Sequence, residues 1–167
     1  QYGHKIELLR YEGKLEIQAN FIIPVLWKQE LKDWASKTVR IDKVVDIQHC
    51  SLQAEPSNEI RLAIKAFAME NDIPFYNLRS HEGILRNLII RTASTGEIMV
   101  IVSMTELNDQ TQALLYHLTH EFPQITSLYY VINTKMNDTI SDLDMQLFYG
   151  KPTISEKMED LEFMISP

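Results

Sequence analysis

The 167-residue sequence contains a single cysteine, Cys50, and no long apolar run. One thiol cannot form an internal disulfide, which agrees with a reducing cytoplasm. The apolar runs fall short of the about 20 residues that a membrane-spanning helix needs, and the first residues lack the basic start and apolar core of a signal peptide. The sequence therefore predicts a cytoplasmic protein with no membrane partner. The start at Gln1 rather than Met indicates a fragment of a longer protein.

Glycine is also scarce, and its spacing argues against one class of site. The five glycines are Gly3, Gly13, Gly83, Gly96 and Gly150. No two of them are close enough to form the G-x-G turn with which nucleotide-binding loops approach a phosphate. We therefore expect no Rossmann-type nucleotide site, and no bound cofactor, in this chain.

Positive charge is in deficit, since the formal net charge is −7. Residues 1–43 carry 8 basic and 6 acidic residues, a net charge of +2, whereas residues 44–167 carry 8 and 17, a net charge of −9. A net negative charge disfavours nucleic acid as a ligand. Any phosphate-binding surface would therefore have to draw on the first quarter of the chain and on the arginines near its centre.

A predicted β-hairpin occupies the centre of the chain. Residues 84–104 read as two apolar strands around a short turn, where Gly96 has no Cβ to clash in a left-handed conformation. Neither face of the second strand is consistently polar, which predicts a hairpin that is covered on both sides. Arg86, Asn87 and Arg91 interrupt the apolar pattern and are therefore candidates for function.

The remaining patterns predict an α+β fold. Residues 42–48 alternate as a strand, apolar residues follow helical spacing over 57–67 and 108–122, and residues 125–133 form a further strand. The order is thus βαββαβ, the ferredoxin-like arrangement of an antiparallel sheet with both helices on one face. We also expect an N-terminal hairpin within residues 5–18 and C-terminal strands within residues 143–165.

The hairpin sequence RNLIIRTASTGEIMVIV resembles a motif of the RNA uracil-C5 methyltransferases, a family that modifies ribosomal and transfer RNA. The segments DKVVDIQHCSLQ, ITSLYYVINTKMNDTI and MEDLEFMISP are also similar to members of that family, so the resemblance covers most of residues 42–167. It implies that the parent protein is an enzyme that depends on S-adenosylmethionine and methylates ribosomal RNA.

The resemblance also implies which role each part of the chain has. Residues 1–142 would be a central, RNA-facing α/β domain, and residues 143–167 would be strands that lead into an absent catalytic domain. The expected partners are RNA and the parent protein's own N-terminal and catalytic domains, while the chain alone is expected to be inactive. The alternative is a non-catalytic scaffold that packs neighbouring domains together without contacting RNA.

Arg86, Asn87 and Arg91 are the expected RNA-binding residues, because guanidinium groups bind phosphate well. Three further basic residues would extend the surface: Lys14, Arg40 and Lys43. Of the two hairpin arginines, Arg91 is the one expected to face RNA, because it is nearer the turn and solvent.

The alternative for the hairpin arginines is structural, because a buried arginine is usually paired. Their acidic partners would then be found within the sheet, among Asp46, Glu97 and Glu106. In that case the two arginines would stabilise the domain without contacting RNA.

Cys50 has two interpretations. In DKVVDIQHC it resembles the fourth ligand of the 4Fe–4S cluster that some family members carry, but the upstream cysteines that complete such a cluster are absent, which implies a vestigial metal position. The alternative is a buried structural cysteine. His117 and His120 lie three apart on a predicted helix, but no third residue has the spacing for a metal site.

Overall fold

The computed structural model describes residues 7–11, 14–18 and 46–167. The chain divides into two compact units, residues 1–47 and 48–167. In the first unit, strands β1 (Glu7–Tyr11) and β2 (Lys14–Gln18) pair antiparallel. This pairing confirms the predicted N-terminal hairpin.

The strand predicted over residues 42–48 is not seen in the described part of that segment. Residues 42–45 lie outside the described residues, and residues 46–48 belong to no strand. The Gln48 carbonyl instead accepts a hydrogen bond from Arg61 Nη2 at 3.4 Å, and the Cys50 N–H donates to Asn58 Oδ1 at 3.0 Å. Side chains of the following helix thus take the place of a partner strand.

The second unit is built on a four-stranded sheet. Its strands are β3 (Leu85–Thr92), β4 (Ile98–Met104), β5 (Ser127–Ile132) and β6 (Met145–Gly150), in the spatial order β3-β4-β5-β6. β3 and β4 form the predicted antiparallel hairpin, β4 and β5 run parallel, and β5 and β6 are antiparallel. The α+β class is confirmed, and the sheet is mixed because a helical crossover connects β4 to β5.

Two helices, α1 (Ser57–Glu70) and α2 (Asp109–Glu121), cover one face of this sheet. α2 begins after Asn108, whose side chain accepts a hydrogen bond from the Thr111 N–H at 3.0 Å. Apolar side chains of both helices share a buried core with alternate residues of β4, which confirms that both lie on the same face. Within the described ranges, no helix is long and apolar enough to cross a membrane.

The C-terminal part of the chain covers the opposite face. Strands β7 (Ile154–Met158) and β8 (Leu161–Ile165) form an antiparallel hairpin, and Ile154 is fully buried against the sheet. The buried sheet residues in this second core are Met99, Ile101, Tyr129 and Val131. Every residue of β4 is therefore buried, whereas most of β3 is half-buried, so cover on both sides is confirmed for the second strand of the hairpin.

Candidate nucleic-acid interface

Arg86 connects strand β3 to the loop that follows β5 through hydrogen bonds. It lies at an irregularity where the pairing with β4 shifts between Leu85 and Asn87, and its side chain is 0% exposed. Its Nη1 and Nη2 groups donate to three carbonyls and one carboxylate, those of Asn133, Lys135, Asn137 and Asp138. All of these bonds except the one to Lys135 measure 3.0 Å.

The guanidinium of Arg86 is therefore engaged inside the protein. Its acidic partner is Asp138, whereas Glu97 and Glu106 bind Lys151 and Asn108. The ring of Tyr76 covers the group, with 3.9 Å from Arg86 Cζ to the ring centroid. To reach a phosphate, Arg86 would have to leave these acceptors, so its contact with RNA stays a prediction.

Arg91 lies towards the opposite end of the same strand. The residue is half-buried, and its Nη1 donates to the Ser166 carbonyl and contacts Met99 Sδ at 3.9 Å. Among the described residues, no carboxylate lies within ion-pairing distance of Arg91. Its positive charge is thus not neutralised by that part of the chain.

A cavity of about 80 Å³ lies at the edge of the sheet beside Arg86. Apolar residues of α1, β3 and β4 line it, together with Arg86, Asn87 and Ser103. Asn87 lies opposite Ser103 in the β3–β4 register. Arg86 Nε, Asn87 Oδ1 and Ser103 Oγ are buried without a hydrogen-bond partner, and in the described residues only Ser127 Oγ shares that condition.

The loop before β3 is shaped by Asn77 and Gly83. Asn77 Oδ1 accepts hydrogen bonds from the backbone N–H groups of Arg79 (2.8 Å) and Ser80 (3.3 Å). Gly83 has a φ of 113°, and a Cβ there would lie 2.4 Å from the Phe75 carbonyl oxygen. This loop holds Tyr76 over Arg86. Asparagine and glycine are common in turns, but no local pattern links these two residues to Arg86.

The turn between β3 and β4 is hydrogen-bonded to the C-terminal hairpin and to the residues before it. Glu97 Oε1 accepts from Lys151 Nζ at 2.8 Å, and its Oε2 accepts from the Ser155 N–H at 2.6 Å; these bonds lower the pKa of Glu97 to about 2. The Thr95 hydroxyl donates to the Ser155 carbonyl at 2.6 Å. The turn, whose residues 94–96 remain exposed, therefore forms a structural clasp on the C-terminal hairpin.

Glu156 supplies the other half of this clasp. Its carboxylate accepts hydrogen bonds from the hydroxyl and the N–H of Ser94, and these bonds lower the pKa of Glu156. Gly96 has a φ of 84°, and its N–H donates to the Ala93 carbonyl at 2.9 Å, as expected for the glycine that closes the turn. The sequence did not indicate that Ser94 and Glu97 bind β7 and the residues before it.

Cys50 is buried and held by Asn58, whose Nδ2 donates to the Cys50 carbonyl at 3.3 Å. A 4Fe–4S cluster needs about four thiolates, so the one cysteine of this chain does not fit it. In the residues that the structure describes, no three His, Cys, Asp or Glu side chains are grouped to hold a metal. His117 instead stacks on Phe67, with ring centroids 4.7 Å apart.

The remaining predicted RNA-binding residues belong to the first unit. Lys14 begins strand β2, while Arg40 and Lys43 lie outside the described residues. The structure therefore brings Arg86 and Asn87 together at the cavity and places Arg91 further along β3. The three basic residues of the first unit stay predictions.

Comparison with known proteins identifies close relatives, although no family model matches the chain. An RNA methyltransferase of Bacteroides thetaiotaomicron is 52% identical over 130 residues, which are 75% of this chain and 29% of that protein. An RNA methyltransferase of Porphyromonas gingivalis is 50% identical over 127 residues, 74% of this chain and 27% of that protein. The chain thus spans less than a third of the length of these relatives.

A solved structure supports the same relationship. It is the tRNA (uracil-54, C5)-methyltransferase of Pyrococcus abyssi in complex with S-adenosyl-L-homocysteine. The fold matches with a TM-score of 0.60 and 29% sequence identity, over 75% of this chain and 30% of that one. With the sequence relatives and this structure in agreement, the chain belongs to the RNA uracil-C5 methyltransferase family.

Proposed function

We propose that the protein is an S-adenosylmethionine-dependent RNA (uracil-C5)-methyltransferase, in which this chain positions the RNA. The observation that carries the proposal is the match to the Pyrococcus abyssi tRNA (uracil-54, C5)-methyltransferase, whose structure holds S-adenosyl-L-homocysteine. That molecule is what remains of S-adenosylmethionine after it has given up its methyl group. Because the chain spans 27–29% of its bacterial relatives, we assign methyl transfer to the rest of the protein.

We infer that the nucleophile and the methyl donor site lie outside this chain. Methylation at C5 of uracil requires a cysteine that adds at C6, a base that removes the C5 proton, and the methyl donor. Cys50 is buried, and both its backbone N–H and its carbonyl are bound by Asn58. A buried cysteine of this kind is inert as a nucleophile. No glycine pair in the sequence can form a donor loop.

Within this chain, we assign RNA contact first to Arg91. Its guanidinium has no carboxylate partner in the described part of the chain, so its charge is available to a phosphate. Residues 1–43 carry a net charge of +2, so we assign further phosphate contacts to this part of the chain. The proposed substrate is RNA of the kinds that this family modifies, with ribosomal RNA as the first to test.

A scaffold role is the second candidate function. The observation in its favour is the internal position of Arg86, whose guanidinium is fully buried against the loop after β5. The clasp formed by Ser94 and Glu97 likewise serves to fix the C-terminal hairpin. A scaffold would need neither a free cation nor an RNA-facing surface.

RNA binding separates the two candidates. We expect the chain to bind ribosomal RNA weakly at low salt, with a Kd of about 10⁻⁴–10⁻⁶ M, since most of it is acidic. A filter-binding assay that detects no RNA even at low salt would favour the scaffold.

A second measurement tests where the methyl donor binds. Isothermal titration calorimetry of the chain with S-adenosylmethionine should show no saturable binding. One-to-one binding would place the donor site within this chain and contradict the assignment of methyl transfer to the rest of the protein.

A further inference from the structure

Strand β8 is exposed along most of its length and on both of its faces. Its first four residues are exposed, among them Leu161 (63%), Phe163 (45%) and Met164 (67%). Because side chains alternate along a strand, Leu161 and Phe163 share one face with Ile165, whereas Met164 points to the other. Apolar side chains on both faces are typical of a strand inside a sheet that is covered on both sides.

One backbone edge of β8 is also open. β7 pairs with the other edge, from Ile154 opposite Ile165 to Met158 opposite Leu161, and the two strands form a sheet of their own. Among the described residues, no further strand or loop backbone bonds to β8. An open strand edge beside exposed apolar side chains is a template for pairing with another strand.

Hydrogen bonds to the β3–β4 turn show which groups of β8 face this open edge. The Ser155 N–H donates to Glu97 Oε2, and the Ser155 carbonyl accepts from the Thr95 hydroxyl, both at 2.6 Å. The turn thus occupies the outer edge of β7, and both backbone groups of Ser155 point away from β8. Directly opposed residues of an antiparallel pair share this orientation, which recurs at every second residue. The N–H and C=O groups of Met164, opposite Ser155, and of Glu162 therefore face the open edge.

The charge of the hairpin limits what can bind to this edge. Residues 154–165 contain four acidic residues and one basic residue, a net charge of −3. In the part of the chain that the structure describes, no cation pairs with Glu162. A second copy of the hairpin and an RNA phosphate backbone are both negative, so like charges oppose their approach. The charge therefore favours a strand that carries Lys or Arg.

We propose that β8 is an inner strand in the parent protein, where a strand from the part that this chain does not span pairs with its open edge. That strand bonds the backbone of Glu162 and Met164, packs apolar side chains on β8 and places a basic residue near Glu162. The chain spans 29% and 27% of two relatives, so the parent protein has ample length to supply it. The inference concerns assembly and does not rest on RNA contact.

Amide hydrogen exchange, read residue by residue in the 167-residue chain and in the parent protein, tests the proposal. In the chain alone, the amides of Glu162 and Met164 should exchange faster than that of Phe163, which faces Glu156 of β7. In the parent protein, both amides should exchange at least about tenfold more slowly than in the chain, because each gains a hydrogen bond. Unchanged exchange at these two positions would overturn the proposal.

A substitution at Phe163 tests the apolar part of the contact. In the parent protein, Phe163→Ser should raise the exchange rates of Glu162 and Met164 by about tenfold or more, because it removes a large apolar side chain from the interface. Leu52→Ser is the matched control, since Leu52 is 68% exposed and lies outside the hairpin; it should leave these rates unchanged. Slow exchange at Ile101 of β4 should show that both variants remain folded. Equal rates in the two variants would contradict the proposed interface.

Other occupants of the edge would give different results, and each would overturn the proposal. A second copy would make the 167-residue chain a dimer in sedimentation velocity, with slow exchange at Glu162 and Met164 that Phe163→Ser abolishes. An RNA surface would show protection only when RNA is added. A parent protein that methylates RNA while β8 stays unprotected would remove the strand pairing and leave the proposed function in place.

Discussion

Arg86 and Arg91 lie on one strand, yet their surroundings differ. Arg86 is enclosed and bound to four acceptors, and Tyr76 covers its guanidinium. Arg91 is half-buried and bonds one carbonyl oxygen, that of Ser166. Residue type alone could not predict that the two arginines have different contacts. The difference comes from contacts with segments distant in sequence, so only the three-dimensional arrangement shows that Arg86 is bound internally, and RNA contact by Arg91 stays a prediction.

The first prediction concerns the stability of variants at these two positions. Arg86→Ala should lower the free energy of unfolding by about 3 kcal/mol, because it leaves buried carbonyls and Asp138 without their donor. Asp138 is 46% exposed, so water offsets part of the loss. Arg91→Ala is the matched control and should cost under about 1 kcal/mol. Equal losses in urea denaturation would contradict the assigned roles.

The second prediction is the pH dependence that Glu97 contributes. Its pKa falls from 4.5 in the unfolded chain to about 2 in the folded one, chiefly through the bonds from Lys151 and Ser155. A carboxylate with a lowered pKa stabilises the fold above pH 4.5, and that contribution is lost as the pH falls from about 4.5 to about 2. The melting temperature of Glu97→Gln should therefore fall less steeply over this interval than that of the unchanged chain.

The control for Glu97 is Glu159→Gln, since Glu159 lies in the β7–β8 turn but outside the clasp. This variant should keep the acid sensitivity of the unchanged chain. If Glu97→Gln and Glu159→Gln respond to acid alike, the clasp contributes nothing to stability.

At the scale of helices and strands, local sequence patterns were sufficient to predict some elements but not others. The β3–β4 hairpin was predictable, because alternation of apolar residues and the conformation of Gly96 are properties of neighbouring residues. A strand was expected at residues 42–48, but the described residues 46–48 do not form one. Side chains of helix α1 instead bind the backbone of Gln48 and Cys50. The alternating pattern could not reveal that competition.

The candidate site was less predictable than the fold. The sequence singled out Arg86 and Asn87 as polar residues in an apolar strand, but their partners lie far along the chain. Asp138 is 52 residues from Arg86, and Glu156 is 62 residues from Ser94. Such contacts depend on how β5 and β7 are placed in the fold, which spacing within one strand does not encode.

The third prediction tests the loop that holds Tyr76 over Arg86. Gly83 and Gly96 both have positive φ, but a Cβ at Gly83 would lie 2.4 Å from the Phe75 carbonyl oxygen, whereas a Cβ at Gly96 meets nothing within 4 Å. Gly96→Ala should therefore cost only the left-handed backbone, about 1–2 kcal/mol. Gly83→Ala should cost more in chemical denaturation. A smaller loss at Gly83 would show that the loop can shift without affecting the sheet.

At the scale of the whole molecule, charge sets the limits on RNA binding. The net charge is −7, and residues 44–167 contribute −9 of it. Long-range attraction to RNA is therefore absent from residues 44–167, and binding must depend on a few local contacts. Under this account, removing a single cation that contacts a phosphate should weaken RNA binding by a measurable amount.

The salt dependence of RNA binding by Arg91→Ala tests the central claim most directly. If Arg91 contacts a phosphate, the variant should bind ribosomal RNA more weakly, and the slope of log affinity against log salt should flatten by about 0.7–0.9. Glu159→Gln should leave the slope unchanged, because it adds no phosphate contact. Filter binding from low to moderate salt measures both. An Arg91→Ala variant that is folded and binds RNA with unchanged affinity and slope would contradict the account and favour the scaffold.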